Sequence, residues 1–117
     1  MVQYQPFDNT FAALSDATRR GVLEQLTRAD ASITQLADRF GMTLTGMKKH
    51  VGVLEQAGLV ETQKVGRVRT CRIGGAGLAE AATWIDRYRQ LWDARFAALD
   101  AVVADLKSKE KAHARQQ

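Results

Sequence analysis

The chain has 117 residues, enough for one hydrophobic core and too few for two. Hydrophobic residues make up 45% and charged residues 26%, which excludes general disorder, and no apolar run reaches the roughly 18 residues of a membrane span. The net charge of +4 is unevenly placed: −1 up to Met42, +1 from Leu78 onward, and +4 between Thr43 and Gly77.

In that central segment Lys48, Lys49, Lys64, Arg67, Arg69 and Arg72 oppose only Glu55 and Glu61. A cationic excess gathered in one stretch is the footprint of a polyanion-binding surface, whereas a merely solvated coat spreads its charge evenly. The segment from Met1 to Asn9 has neither a basic start nor an apolar run, so no secretory signal is expected. The single cysteine, Cys71, excludes an internal disulfide. Both features fit a cytoplasmic protein.

Taken in chain order, Phe7, Phe11 and Leu14 mark a short helix ending near Ser15 and Asp16. Thr18 is the expected N-cap of a second helix with Val22, Leu23 and Leu26 on its apolar face. Ser32 and Gln35 have the spacing of a capping box, followed by Ile33, Leu36, Ala37 and Phe40 at amphipathic helical intervals, with Gly41 as the stop. Thr43 can cap a fourth helix to about Gln56, closed by Gly58. Leu44, Met47, Val51 and Leu54 form its expected core stripe. Thr45, Lys48, Lys49 and Gly52 form a second, short-sided face without an acid. A helix that enters a DNA groove needs one stripe for the core and another of small and donor side chains. Gly46 and Gly52 each cost about 1 kcal/mol relative to Ala in a helix, and close approach to a partner is a reason to carry them.

Leu59–Lys64 and Val68–Ile73 read as two strands joined at Val65–Arg67. A lone hairpin is marginal in water, so this one must rest on the helices. Gly74, Gly75 and Gly77 read as a flexible exit and lack the Lys-Ser/Thr of a phosphate loop. From Leu78 to about Lys107 the pattern is one helix of roughly 45 Å. Ile85, Tyr88, Trp92, Phe96, Leu99, Val103 and Leu106 form its stripe, broadened by Trp84, Leu91 and Val102. Such a stripe serves either an intramolecular core or a seam between two copies, and its large aromatics favour the seam. The polar tail, 108–117, is expected to be disordered.

Three segments carry a family resemblance: Phe11 to Arg20 (FAALSDATRR), Met42 to Val51 (MTLTGMKKHV) and Val53 to Val60 (VLEQAGLV). In order and spacing they resemble the ArsR/SmtB family of winged-helix repressors, over about residues 7–107. The resemblance implies a mainly α fold with a small β-hairpin wing, in the order α-α-α-α-β-β-α. It implies one winged-helix domain over 1–117, with helices and wing in 7–77 and a dimerisation helix in 78–107. The implied function is a homodimeric repressor on an inverted-repeat DNA operator, with helix 43–56 in the major groove and hairpin 60–73 as the wing. Thr43, Thr45, Gly46, Lys48, Lys49 and His50 would face DNA from the helix, and Lys64, Arg67 and Arg69 from the wing. Phe7, Phe11, Trp84, Ile85, Tyr88, Leu91, Trp92, Phe96 and Leu99 would form the dimer interface.

The departures from the family pattern bear on metals. Where the thiol metal site has a Cys-x-Cys pair, this chain reads Ser32-Ile-Thr-Gln-Leu-Ala. The last helix holds Asp86 and Asp93 but no histidine before His113, so no metal and no cofactor is expected. Ala17 stands in place of the usual proline. A small-molecule effector stays open, as does a protein partner seated on the last helix or the recognition face. An enzyme is excluded by the lack of an acid–base constellation: His50 sits among lysines and Cys71 has no base partner. Cys71 has two readings, a small buried apolar residue or a thiol activated by Arg69 and Arg72.

Overall fold

The computed structural model describes residues 4–116; Gln117, the end of the tail expected to be disordered, and residues 1–3 of the N-terminal segment lie outside the described residues. The order is α1 (Phe7–Leu14), α2 (Ala17–Arg28), β1 (Ala31–Ser32), α3 (Ile33–Arg39), α4 (Leu44–Gln56), β2 (Val60–Val65), β3 (Val68–Ile73) and α5 (Ala76–Gln116). Two compact units result, residues 1–82 and residues 83–117. No helix among the described residues is long and apolar enough to cross a membrane.

The first unit is a winged helix-turn-helix. Val22 and Leu26 of α2, Ile33, Leu36 and Ala37 of α3, and Met47, Val51 and Leu54 of α4 are buried in one cluster. Truncating a large aliphatic side chain in such a cluster costs about 2–5 kcal/mol. The capping box of α3 is formed on both sides: Gln35 N–H donates to Ser32 Oγ at 3.1 Å, and Ser32 N–H donates to Gln35 Oε1 at 2.9 Å. Gly41, at φ +62°, ends the α3 segment, and Met42 N–H donates to the Ala37 carbonyl at 2.8 Å.

Several expectations are corrected. The element order contains a third strand: Ala31 pairs with Cys71 and Ser32 with Thr70, giving a sheet of order β1-β3-β2. The N-cap of α2 is Asp16, whose Oδ2 accepts from Arg19 N–H at 3.0 Å, and Thr18 lies inside the helix. Ala17 therefore occupies the first helical position, where proline is favoured because that N–H needs no intrahelical partner. In α1, Thr10 and Ala13 are buried while Phe7, Phe11 and Leu14 are only half-buried. Phe7 and Phe11 meet edge to face at 5.8 Å.

Two of the three glycines after β3, Gly74 and Gly77, are close packing and not a flexible exit, while Gly75 is open to solvent. Gly77, in the first turn of α5, accepts from Thr10 Oγ1 at 3.1 Å and donates to the Gly58 carbonyl at 3.2 Å. A Cβ at Gly77 would lie 1.7 Å from the Ala57 carbonyl oxygen. Only a residue without a side chain lets this backbone approach the C-terminal end of α4 so closely. Gly74 is buried and donates to the Leu59 carbonyl at 2.8 Å.

In the second unit, α5 continues unbroken. It has 41 residues, roughly 60 Å at 1.5 Å per residue, and runs to Gln116 where the sequence suggested a stop near Lys107 and a disordered tail. The physical reason is composition: beyond Gly77 there is no Gly or Pro, and Ala, Lys, Glu and Arg are strong helix formers. Lys109 adds an ion pair to Asp105 one turn back, at 3.2 Å. Trp84, Tyr88, Trp92 and Phe96 form a ladder of rings along one side, with successive centroids 5.1, 6.0 and 5.3 Å apart.

Candidate nucleic-acid interface

The site is built on α4 and the β2–β3 hairpin. Thr43 caps α4, its Oγ1 accepting from Gly46 N–H at 3.1 Å, which fixes where the first turn begins. Met47, Val51 and Leu54 then point into the core, and the 3.6-residue period turns Thr45, Lys48, Lys49 and Gly52 to the outside, where all four are exposed. Nothing lies within 4 Å of a Cβ built at Gly52, so its backbone is open to approach.

The hairpin stands beside this face. Gly66, at φ +63°, makes the two-residue turn with Arg67, and Lys64 pairs with Arg69 across the ladder. Between the N-terminal ends of α3 and α4 and the hairpin lies a cleft of about 490 Å³. Ser32, Ile33, Thr34, Leu44, Lys48, Lys64, Arg67, Val68 and Arg69 line it. The structure thus brings one lysine of the helix and all three expected wing cations to a single cleft.

The six cations of the central segment divide into two groups. Arg72 is paired with Glu61 at 2.9 Å. Arg69 Nη1 donates to Thr62 Oγ1 at 2.9 Å, and Thr62 donates in turn to Glu55 of α4. Both acids of the segment are thereby engaged. Among the described residues, Lys48, Lys49, Lys64 and Arg67 make no ion pair or hydrogen bond and are exposed. The Glu55–Thr62–Arg69 chain also ties α4 to both strands of the hairpin.

His50 lies on the other edge of α4. It is half-buried, with Nδ1 3.3 Å from Arg19 Nη1 and 3.8 Å from Asp16 Oδ2. Arg19 also donates to the carbonyls of Ala12 and Ala13, at 3.0 and 2.8 Å, and Arg20 donates to the Leu14 carbonyl at 2.8 Å. The two arginines satisfy the last carbonyls of α1, and Arg19 joins that helix end to α2 and α4. The Asp16 carboxyl is held below its usual range, chiefly by the Arg19 backbone N–H and further by the charges of Arg19 and His50, against an opposing effect of burial.

One feature departs from the sequence reading, and another is decided between two readings. Leu44 continues the i, i+3 stripe of α4, yet it is 43% exposed and lies on the lip of the basic cleft. Its register predicted burial, but the core does not reach the first turn of α4. Cys71 is fully buried in β3, and burial, reinforced by the charge of Glu55 and only partly offset by Arg69, pushes its thiol up to about 11. That is the small apolar reading, since an activated thiol needs a lowered value. Ile73, two residues further along β3, is exposed. Among the described residues no group of three or more His, Cys, Asp and Glu side chains converges as a metal ligand set does.

Comparison with known proteins agrees with this geometry. A family described as a helix-turn-helix domain matches residues 14–63, from the end of α1 into β2. The HTH-type transcriptional regulator Rv2034 of Mycobacterium tuberculosis is 31% identical over 88 residues, 75% of this chain and 82% of the relative. The transcriptional repressor SdpR of Bacillus subtilis is 26% identical over 78 residues, 67% of this chain and 87% of the relative. Among solved structures, an ArsR-like transcriptional regulator from Rhodococcus sp. RHA1 is 39% identical with a TM-score of 0.75, covering 86% of this chain and 92% of that one. The chain belongs to the ArsR family of helix-turn-helix transcriptional regulators.

Proposed function

We propose that this regulator is a homodimeric repressor that reads an inverted-repeat operator in the cytoplasm. In this reading α4 enters the major groove, the β2–β3 hairpin holds the flanking backbone, and promoter occupancy blocks transcription. The observation that carries it is a set of four exposed, unpaired cations: Lys48, Lys64 and Arg67 on the cleft between α4 and the hairpin, and Lys49 beside Lys48 on the outside of α4. The acid on this side of α4, Glu55, and the acid of β2, Glu61, are already engaged, by Thr62 and by Arg72. Repression as the outcome is supported by the similarity to SdpR, a transcriptional repressor.

The dimer rests on a separate observation. Along α5, Trp84, Ile85, Tyr88, Leu91, Trp92, Phe96 and Leu99 are all exposed on one side of the helix. An apolar stripe of this length left in water costs about 25 cal/mol for each Å² that a partner could cover. A second copy offers the same stripe and closes the interface on itself. Phe7 and Phe11 of α1, half-buried as they are, belong to the same proposal. Two recognition helices related by a two-fold axis then meet successive major grooves about 34–36 Å apart.

The test is selection from a pool of random-sequence duplexes with the full chain. The expected product is an inverted repeat with half-sites about one helical turn apart, bound far more tightly than a scrambled duplex. Equal affinity for selected and scrambled duplexes overturns sequence reading, and selection of single half-sites overturns the dimer.

A further inference from the structure

The first turn of α4 places an aliphatic side chain where the rest of the surface is cationic. Leu44 follows the Thr43 cap directly and is 43% exposed, while Met47, Val51 and Leu54 further along the same stripe are fully or almost fully buried. Its companions on the cleft include Lys48, one turn along the helix, and Lys64 and Arg67 from the hairpin. Much of this leucine's surface stays open on the cleft, where the rest of its stripe is closed. Nor can it bind phosphate, having no donor.

On the reading that α4 enters the major groove, the N-terminal residues of the helix are the ones that meet base edges. The major groove exposes only one apolar group, the C5-methyl of thymine. We propose that Leu44 is a specificity residue that reads a thymine C5-methyl in each half-site. It has no hydrogen-bond capacity, so it also disfavours a base edge whose donor or acceptor would be left dry against it. Lys48, one turn further on, then addresses the adjoining base or phosphate. This inference rests on the DNA-reading proposal above.

The experiment uses the full chain and the duplex selected by it, with each thymine in turn replaced by deoxyuridine, which lacks only that methyl. One thymine per half-site is expected to cost the wild type about fourfold in affinity when so replaced, the worth of one buried methyl group. In Leu44→Ala the same replacement costs nothing, although the variant binds the parent duplex more weakly. The uridine series needs no altered protein, so the result does not hinge on how the variant folds. If no single replacement weakens the wild type, the proposal is overturned while sequence reading stands. If the methyl penalty persists in Leu44→Ala, the contact belongs to another group such as the Thr45 methyl, and the proposal is overturned. If the pool yields no enriched sequence at all, the DNA-reading proposal itself falls.

Discussion

Lys48 and Arg67 carry the same charge into the same cleft from different supports, and that difference decides what each can do. Lys48 stands on the outer face of a helix, where a side chain can reach guanine O6 and N7, and a good base contact discriminates by about 1–3 kcal/mol. Arg67 stands at a hairpin tip, where phosphates are within reach and carry no sequence information directly. Lys48→Ala is therefore expected to weaken binding to the selected duplex more than to a scrambled one. Arg67→Ala should weaken both alike. If all four unpaired cations of each protomer engage DNA, log affinity falls with log salt at a slope of about −7, and Arg67→Ala makes it shallower by about two. Fluorescence anisotropy over a salt series measures both quantities, and a specificity loss confined to Arg67→Ala would show the two surfaces to be reversed. Cys71 gives a second expectation. With its thiol raised to about 11, the folded state keeps the proton, and the thiolate fraction at pH 8 is on the order of a thousandth. The folded protein should resist Ellman's reagent at pH 8 and react fully once unfolded in urea. Because the folded value lies above the ordinary 9.0, the stability associated with the thiol is present below pH 9 and lost as pH rises towards 11. Rapid reaction of the folded chain would revive the redox reading.

At the scale of elements, the start of α2 yields a pH prediction. Asp16 has its folded value depressed by the Arg19 backbone N–H, so its contribution to stability is present above about pH 4 and lost as pH falls through the folded value. Asp16→Asn keeps an N-capping side chain but cannot titrate. Its melting temperature should lie below that of the wild type at pH 7, and the gap should close on going to pH 2–3 in a calorimetric series. A gap that persists at low pH would mean that shape rather than charge sets the effect. The same helix start shows what a sequence can tell. The helices and the hairpin were legible because apolar periodicity, the Ser32–Gln35 box and the glycine stops agree with one another. The α2 cap was displaced because Asp16 and Thr18 are both capping residue types, and the choice is made by the Arg19 N–H. Strand β1 was invisible because two residues cannot display a period of two; only pairing with Cys71 and Thr70 defines it. The helical tail was missed because polar composition suggests disorder, while the same residues favour a helix. Of the candidate site, the cationic face was legible from charge and spacing. The internal engagement of Arg69, Arg72 and His50 was not, because their partners come from distant parts of the chain.

For the whole molecule, the question is what covers the aromatic ladder of α5. Tyr88, Leu91, Trp92, Arg95 and Phe96 surround a hollow of about 260 Å³ on the helix surface, of a size to receive a side chain from a second copy. Trp92→Asp sets a charge in the middle of that stripe, and a desolvated unpaired charge costs several kcal/mol. Sedimentation at micromolar concentration should find the wild type dimeric and Trp92→Asp monomeric or aggregated. Binding to the selected duplex should drop at least tenfold in the variant, because two half-sites bound by one molecule add effective concentration to each contact. A dimeric Trp92→Asp with full affinity would place the seam elsewhere.

The chain of hydrogen bonds from Glu55 through Thr62 to Arg69 has a consequence in time as well as in shape. It joins α4 to both strands of the hairpin, so the two surfaces proposed to face DNA are already set against each other before they meet a duplex. Association then needs no slow rearrangement after the first encounter. In stopped-flow mixing with the selected duplex, the wild type should show one phase whose rate rises linearly with DNA concentration and quickens as salt is lowered. Glu55→Ala should add a second phase independent of DNA concentration, as the freed hairpin settles onto the backbone. A single unaltered phase in that variant would mean that the β2–β3 ladder alone holds the wing in place.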